Sequence, residues 1–391
     1  MTYPRTERQA ELMAVADRLA ARFAETAALY DRTGDFPFAH FAALHETGYL
    51  ALTVPEEYGG RGANPLELAL AQERLAHGCA ATALGATMHL TVMAIQGETR
   101  TWPEEVYARV CRDVVERGAL INSIHSEPDM GSPSRGALPS TTAVRTADGW
   151  VLNGHKRWAS LAPGLTYADV LAAVSDGDEP PRRGNFLVPM DLAGITIEET
   201  WDNLGMRATA SHDVIFTDVH VPAKALLPAT TRSVPGGNSG WGLFPVPAVY
   251  LGVAGAARKA TITFAQERVP NGMSGPIAEL QTVQHRIAEM ELLYWQARTV
   301  FYDVAERWVA DPAARPGMAW EAAAAKHVVT NNVMRITDLA LRVAGSAALS
   351  RTLPLERYFR DARAGLGHPP MDDVALTTIG KHALGLDGER R

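Results

Sequence analysis

The run Arg360-Asp361-Ala362-Arg363-Ala364-Gly365-Leu366-Gly367-His368-Pro369-Pro370 places a histidine at the top of a proline turn. Asp372 and Asp373 follow at what reads as the next helix start, where aspartate ordinarily serves as an N-cap. That last helix spans Asp372 to Leu384. Upstream, Gly242 to Gln266, Ile277 to Ala310 and Trp320 to Ala348 carry helical texture long enough to span a bundle. The Pro/Gly/Ser-rich run Ser233-Val234-Pro235-Gly236-Gly237-Asn238-Ser239-Gly240 separates these helices from a stretch of different character. There, Thr141 to Gly154 reads as two strands joined by an Asp148-Gly149 turn, and Asp169 to Val174 and Gly194 to Ile197 continue in short β-type runs. From Thr6 to Gly118 the pattern is helical again, with Leu12, Val15 and Leu19 at helical spacing. Asn64-Pro65-Leu66-Glu67 reads as a helix entrance, because asparagine caps free N–H groups and proline is tolerated in the first turn. The pattern predicts an α+β chain, mainly α. Its expected parts are an N-terminal helical domain (1–118), a small central β domain (119–228) and a C-terminal helical bundle (229–391).

Composition narrows the function classes. The 391 residues are 47% hydrophobic and 21% charged, as in a globular protein rather than a disordered chain. The net charge of −7, with scattered Lys and Arg, argues against a nucleic-acid surface, which needs clustered positive charge. Cys79 and Cys111 are the only cysteines and have no metal-ligand spacing, so neither a disulfide framework nor a metal site is expected. The N-terminal Met1 to Glu7 lacks an apolar signal core, and no apolar run reaches membrane-spanning length. The expectation is a cytoplasmic protein with no membrane partner.

Several short segments occur in a fixed order. They are Gly48 to Gly60, Ser126-Glu127-Pro128-Asp129-Met130-Gly131-Ser132, Gly154-His155-Lys156-Arg157-Trp158-Ala159-Ser160, Trp201 to Arg207, Phe216 to Pro222, and Pro354-Leu355-Glu356-Arg357 with Arg360-Asp361-Ala362. Together they resemble the acyl-CoA dehydrogenase family along nearly the whole chain. The resemblance implies helices, a small β-barrel domain and a helical bundle, with FAD as cofactor and FMN as the alternative. In the β domain, Trp158 and Ser160 match the tryptophan and hydroxyl residue beside the flavin ring. His125 and Ser126 match the second contact strand, and Ser132 matches a phosphate-contacting serine. Alone, Trp158 reads as a core tryptophan; the Trp-x-Ser spacing after Gly154-His155-Lys156 reverses that preference. Arg268 with Gln281, and Gly345 with Ser346, resemble the elements that hold the adenylate half of FAD on a neighbouring subunit, which implies a homodimer or homotetramer. The first hairpin has two extra residues, and the second has Gly345-Ser346 where a double glycine is common.

An acyl-CoA dehydrogenase needs a carboxylate base to remove an α-proton while hydride leaves for the flavin. The family places it eight residues after the Arg-Asp aspartate or at the start of the long helix after the linker. Counting eight from Asp361 gives Pro369, and the second place falls near Gly242; Trp241 to Tyr250 carries no charged side chain. The pattern is similar to the flavin-dependent monooxygenases of the same fold, the dibenzothiophene monooxygenase group among them. Those enzymes receive reduced flavin from a separate reductase, form a C4a-hydroperoxyflavin with molecular oxygen, and hydroxylate small aromatic, heterocyclic or amine substrates. His368, His89, Asn122 and Ser160 fit the four places that line the oxygen pocket there. A histidine titrating near neutral pH is suited to protonate the peroxide. The ordinary alternative is that His89 is a satisfied core histidine and His368 merely tops a proline turn. The competing reading is a dehydrogenase of acyl-CoA or acyl-carrier protein with a relocated base, Asp372 or Asp373. His212, His220, His285 and His327 read as surface or structural.

Overall fold

The computed structural model describes residues 3–129, 138–177, 179–228 and 239–386. Six helices come first: α1 (Glu7–Ala24), α2 (Ala27–Thr33), α3 (Phe38–Glu46), α4 (Pro65–Ala76), α5 (Ala80–Thr99) and α6 (Glu104–Arg117). The entrance to α4 is a capping box. Asn64 accepts from the Glu67 N–H, and the Glu67 carboxylate accepts from the Asn64 N–H, which satisfies two otherwise free donors.

Seven strands follow: β1 (Ile121–Ile124), β2 (Thr142–Arg145), β3 (Gly149–Ala159), β4 (Tyr167–Ser175), β5 (Arg182–Pro189), β6 (Ile195–Glu198) and β7 (His212–Pro222). They form one sheet in the order β1-β4-β2-β3-β7-β6, with β5 also paired to β4. β1 and β2 occupy successive parts of the same β4 strand in parallel register, Ile121–Ile124 against Tyr167–Val170 and Thr142–Val144 against Ala173–Ser175. The chain between them must therefore leave the sheet after Ile124 and return at Thr142.

The last part is helical: α7 (Gly240–Leu243), α8 (Pro245–Glu267), α9 (Gln281–Ala310), α10 (Ala319–Ala344), α11 (Leu355–Ala364) and α12 (Asp372–Ala383). This order of helices, sheet and helices agrees with the mainly α, α+β class that the pattern predicts. One expectation is corrected. The stretch Gly240–Glu267 is long and apolar enough to cross a membrane by length and composition, yet 83% of its window is buried. It is a core helix: Ala248, Val249, Leu251, Val253, Ala254 and Ala257 are buried on all sides of α8, which packs against α4 and α10.

The three parts are tied at one junction. Arg360 of α11 makes a two-pronged ion pair with Asp31 of α2, and the Asp361 carboxylate accepts from the Met206 N–H at 2.6 Å. Gly205 is required here, since a Cβ would lie 2.4 Å from the Arg360 carbonyl oxygen.

Candidate functional site

Where the chain leaves β1, a buried ion pair fixes its path. The Glu127 carboxylate accepts from the backbone N–H of Ser140 and Thr141 and from the Lys156 ammonium at 2.6 Å; Lys156 also donates to the Leu171 carbonyl at 2.6 Å. Both side chains are essentially inaccessible to water. Burial alone would raise the Glu127 carboxyl, but the hydrogen bonds from Lys156, Thr141 and Ser140 outweigh it and hold the group ionised. The two ends of the loop are thereby clamped together. Ser132 lies outside the described residues.

His125 stands at the root of this loop. Its Nε2 is 3.1 Å from Asn185 Nδ2 and 3.6 Å from an oxygen of the buried Asp169, which accepts from Ser123 and Asn185. Desolvation would raise Asp169; these partners, His125 foremost, hold it below the usual carboxylate range. The Ser126 carbonyl accepts from the Arg157 N–H at 2.9 Å, which joins the loop to β3.

The β3–β7 pairing slips between Lys156 and Ala159, and Trp158 in this irregularity has a φ of +58°. A bulge re-aims side chains. As a result the indole, which an undisturbed strand could bury, is 58% exposed as a flat apolar wall beside the Ser126 loop. A ring of flavin dimensions has an aromatic face and loop backbone to lie against, so the residues present fit that group.

Behind the wall, Asn122 Nδ2 donates to the Ser160 carbonyl at 3.0 Å, and Ser160 Oγ lies 2.8 Å from Ser211 Oγ, which in turn meets Thr209 Oγ1. Asn122, Ser160, Trp158, Ser126 and His125 thus lie on the joined ends of β1 and β3.

His89 behaves differently. It is fully buried on α5, with Nε2 3.0 Å from the Leu50 carbonyl and Nδ1 accepting from the Ile121 N–H at 3.2 Å. Both nitrogens are committed to backbone, which fixes the tautomer with the proton on Nε2. Burial lowers the imidazole to about 4. The expectation that His89 handles a peroxide is corrected: it is a satisfied core histidine that props β1 next to Asn122.

His368 follows the turn Gly365–Gly367 and is half-buried, its ring centroid 5.8 Å from that of Tyr250 on α8. Among the described residues no hydrogen bond joins it to Asn122 or Ser160. Desolvation, and then the charge of Lys326, lower it to about 4. At neutral pH His368 is a neutral imidazole able to give one N–H hydrogen bond.

Neither aspartate is an N-cap. Met371 holds that position, and Asp372 Oδ1 lies 3.1 Å from His327 Nδ1 while its other oxygen accepts from Asn331 at 3.1 Å. Asp373 points to solvent at the first turn of α12.

The four residues expected at an adenylate gather elsewhere. Arg268 ends α8, Gln281 begins α9, and the Arg268 carbonyl accepts from the Ile277 N–H at 2.9 Å. Gly345 and Ser346 follow α10, Gly345 with a φ of +59°. A small separate core of Ala265, Ile277, Val283 and Val343 holds the hairpin and the turn side by side, and Arg268, Gln281, Gly345 and Ser346 are all exposed.

The motifs did not announce Glu127, Lys156, Asp169 or Lys326 as paired groups. The alternation in β3 would place Lys156 on the same face as Leu152 and Gly154, which was the available signal.

Comparison with known proteins places this arrangement. Residues 6–99, 123–219 and 244–382 match the acyl-CoA dehydrogenase N-terminal, middle and C-terminal domains. The chain is 40% identical over 378 residues to the "Putative acyl-CoA dehydrogenase YdbM" of Bacillus subtilis, covering 97% of this chain and 98% of that one. KijD3 in complex with FMN and a dTDP-linked amino-keto sugar superposes with a TM-score of 0.84 at 28% identity, covering 99% and 96% of the two chains. TdsC from Paenibacillus sp. A11-2, with FMN and indole, superposes at 0.85 and 26% identity, covering 96% and 97%. Matching all three domains in order and one relative end to end, this chain belongs to the acyl-CoA dehydrogenase family of flavin-dependent oxidoreductases.

Proposed function

We propose that this protein is a monooxygenase that takes reduced flavin from a separate reductase and transfers one atom of molecular oxygen to a small aromatic, heterocyclic or amine substrate. The observation that supports this reading is that, among the described residues, no carboxylate stands at either place where the family keeps the base for α-proton removal. Pro369 and Gly242 stand at the two expected places. Asp372 is held by His327 and Asn331, and Asp373 faces solvent. The FMN complexes of KijD3 and TdsC, with an amino sugar nucleotide and with indole, support a flavin and a substrate of this kind.

Bound flavin supplies the activation of oxygen. The chain's own residues do the rest. Trp158 offers the ring an apolar face, and Asn122, Ser160 and Ser211 form a fixed hydrogen-bonded backing. His368 would give a hydrogen bond toward the reacting oxygen, with solvent supplying the proton that completes the transfer. Arg268, Gln281, Gly345 and Ser346 are assigned to the adenylate of FAD on a second copy, which makes the working form a homo-oligomer; with FMN they have no such task.

Rapid mixing of the flavin-reduced holoprotein with oxygen tests this. A transient absorbing species between the reduced and oxidised forms is expected, and His368→Ala should cut substrate oxygenation by about 10²-fold or more while hydrogen peroxide rises. The second reading, oxidation of an acyl thioester at Cα–Cβ, is favoured by the name of the Bacillus relative. It takes over if reoxidation is direct, if an acyl thioester bleaches the oxidised flavin anaerobically, and if Asp372→Asn or Asp373→Asn abolishes that bleaching.

A further inference from the structure

In a regular strand successive side chains point to opposite faces of the sheet, so neighbours in sequence do not touch. Arg157 and Trp158 depart from that rule. The β3–β7 register slips between Lys156 and Ala159, and Trp158 takes a φ of +58°, a conformation that bulky side chains rarely adopt. The backbone is pinned on both sides: the Arg157 N–H donates to the Ser126 carbonyl at 2.9 Å, and the Ser160 N–H donates to the Trp158 carbonyl at 2.9 Å. Local strain of this kind persists where the surroundings enforce it, and it collects at segments with a task.

What the irregularity achieves here is a stack. The Arg157 guanidinium lies over the Trp158 ring, 5.1 Å from its centroid. Arg145 and Arg315 stack on Trp150 and Trp308 in the same way, but those indoles are buried, so the cation there closes the edge of a core. Arg157 and Trp158 are both exposed, and among the described residues no carboxylate pairs with the Arg157 guanidinium. An indole has two faces, and the cation takes one of them. The charge is held there by the negative π face of the ring. Oxidised flavin is neutral and electron-poor, whereas reduced flavin is electron-rich and carries a negative charge near neutral pH. A positive charge close to the ring system therefore favours the reduced form over the oxidised one.

We propose that Arg157 is a positioning residue that makes the site selective for reduced flavin: stacked on one face of Trp158, it steadies the exposed indole and sets a positive charge behind it, so that the opposite face receives the reduced ring in preference to the oxidised one. The inference rests on Trp158 being the flavin wall. It deepens the reading of a protein that takes reduced flavin from a reductase, and it does not depend on what the flavin then does.

The test is a set of dissociation constants for FMN, oxidised and, without oxygen, chemically reduced. Wild type, Arg157→Met, Arg157→Lys, Trp158→Ala and the double variant Arg157→Met with Trp158→Ala are compared. The wild type should bind the reduced form more tightly. Arg157→Met should weaken reduced FMN about fivefold and oxidised FMN by less than about twofold. Arg157→Lys, which keeps the charge, should keep more of the preference. In the Trp158→Ala background, Arg157→Met should leave the ratio of the two constants unchanged, because the cation then has no ring to stack on. Both side chains are exposed, so thermal midpoints should stay at the wild-type value. An unchanged ratio in Arg157→Met, or the same shift in ratio with and without the indole, overturns the proposal. If Trp158→Ala alters neither constant, the wall assignment fails and the proposal falls with it. A preference lost in Arg157→Met in a protein that oxygenates no substrate leaves the selectivity standing and sinks the monooxygenase instead.

Discussion

Two buried lysines, Lys156 in the β domain and Lys326 on α10, are held in opposite ways. Lys156 has a carboxylate at 2.6 Å and a carbonyl at 2.6 Å, while Lys326 has only a shared carboxylate at 4.0 Å and no hydrogen bond. Both have been taken out of water, so both bear a desolvation cost. For Lys156 that cost is offset within the protein, and the pair acts as a clamp on the loop that carries His125 and Ser126. For Lys326 it is offset only in part, since the carboxylate within reach is shared with His327 and Asn331. A fully paired buried charge builds structure; a partly paired one keeps part of its desolvation cost.

The largest effect that would break this comparison is on the clamp. Lys156→Met leaves Glu127 buried without its cation and should cost about 3–5 kcal/mol in denaturant unfolding. The double variant Lys156→Met with Glu127→Leu should recover much of it, because the unpaired charge is then gone. If the single variant is as stable as the wild type, the loop is held by something else.

Acid sharpens the same point through histidines. His40 and His89 have both ring nitrogens bonded and are lowered by burial to about 4, as is His368. A depressed histidine binds fewer protons folded than unfolded, so its contribution is intact above pH about 6.5 and is lost as pH falls through about 4. For the fully buried His89 the loss amounts to about 3 kcal/mol, from a displacement of 6.5 to about 4 at 1.36 kcal/mol per unit. Asp361, raised by burial to about 6, works in the opposite direction, since protonation there favours the folded form as pH falls. Unfolding temperatures from pH 7 to 4 should therefore fall steeply. They should fall less steeply in His89→Gln, a variant of lower starting stability.

The smallest stability effect belongs to the exposed wall. Trp158→Ala should change folding free energy by less than about 0.5 kcal/mol, as expected for an exposed side chain. It should weaken flavin about tenfold, ~1.4 kcal/mol, in a fluorescence titration. A large loss of stability with unchanged flavin affinity would mean that the indole is a structural residue after all.

Much of this molecule was legible in the chain. The change from helical to alternating texture near Ala119, the return to helix after the linker, and the Asn64 helix entrance all follow from local chemistry, because capping, turns and periodicity act over a few residues. The Trp158-x-Ser160 spacing pointed to a wall beside a loop, and a strand irregularity does expose that indole. The absence of an acid at Pro369 and between Trp241 and Tyr250 is likewise a fact of sequence. What tertiary structure alone decided is which side chains are charged and which are already spoken for. His89 and His368 are both histidines placed by motif, but one is saturated by Leu50 and Ile121, 39 and 32 residues away in the chain. The other is kept neutral by burial and by a lysine on a separate helix. Lys156 finds Glu127 across 29 residues, and His327 finds Asp372 across 45. Protonation and pairing depend on burial and on through-space distance, and both are set by packing between elements rather than by spacing along the chain.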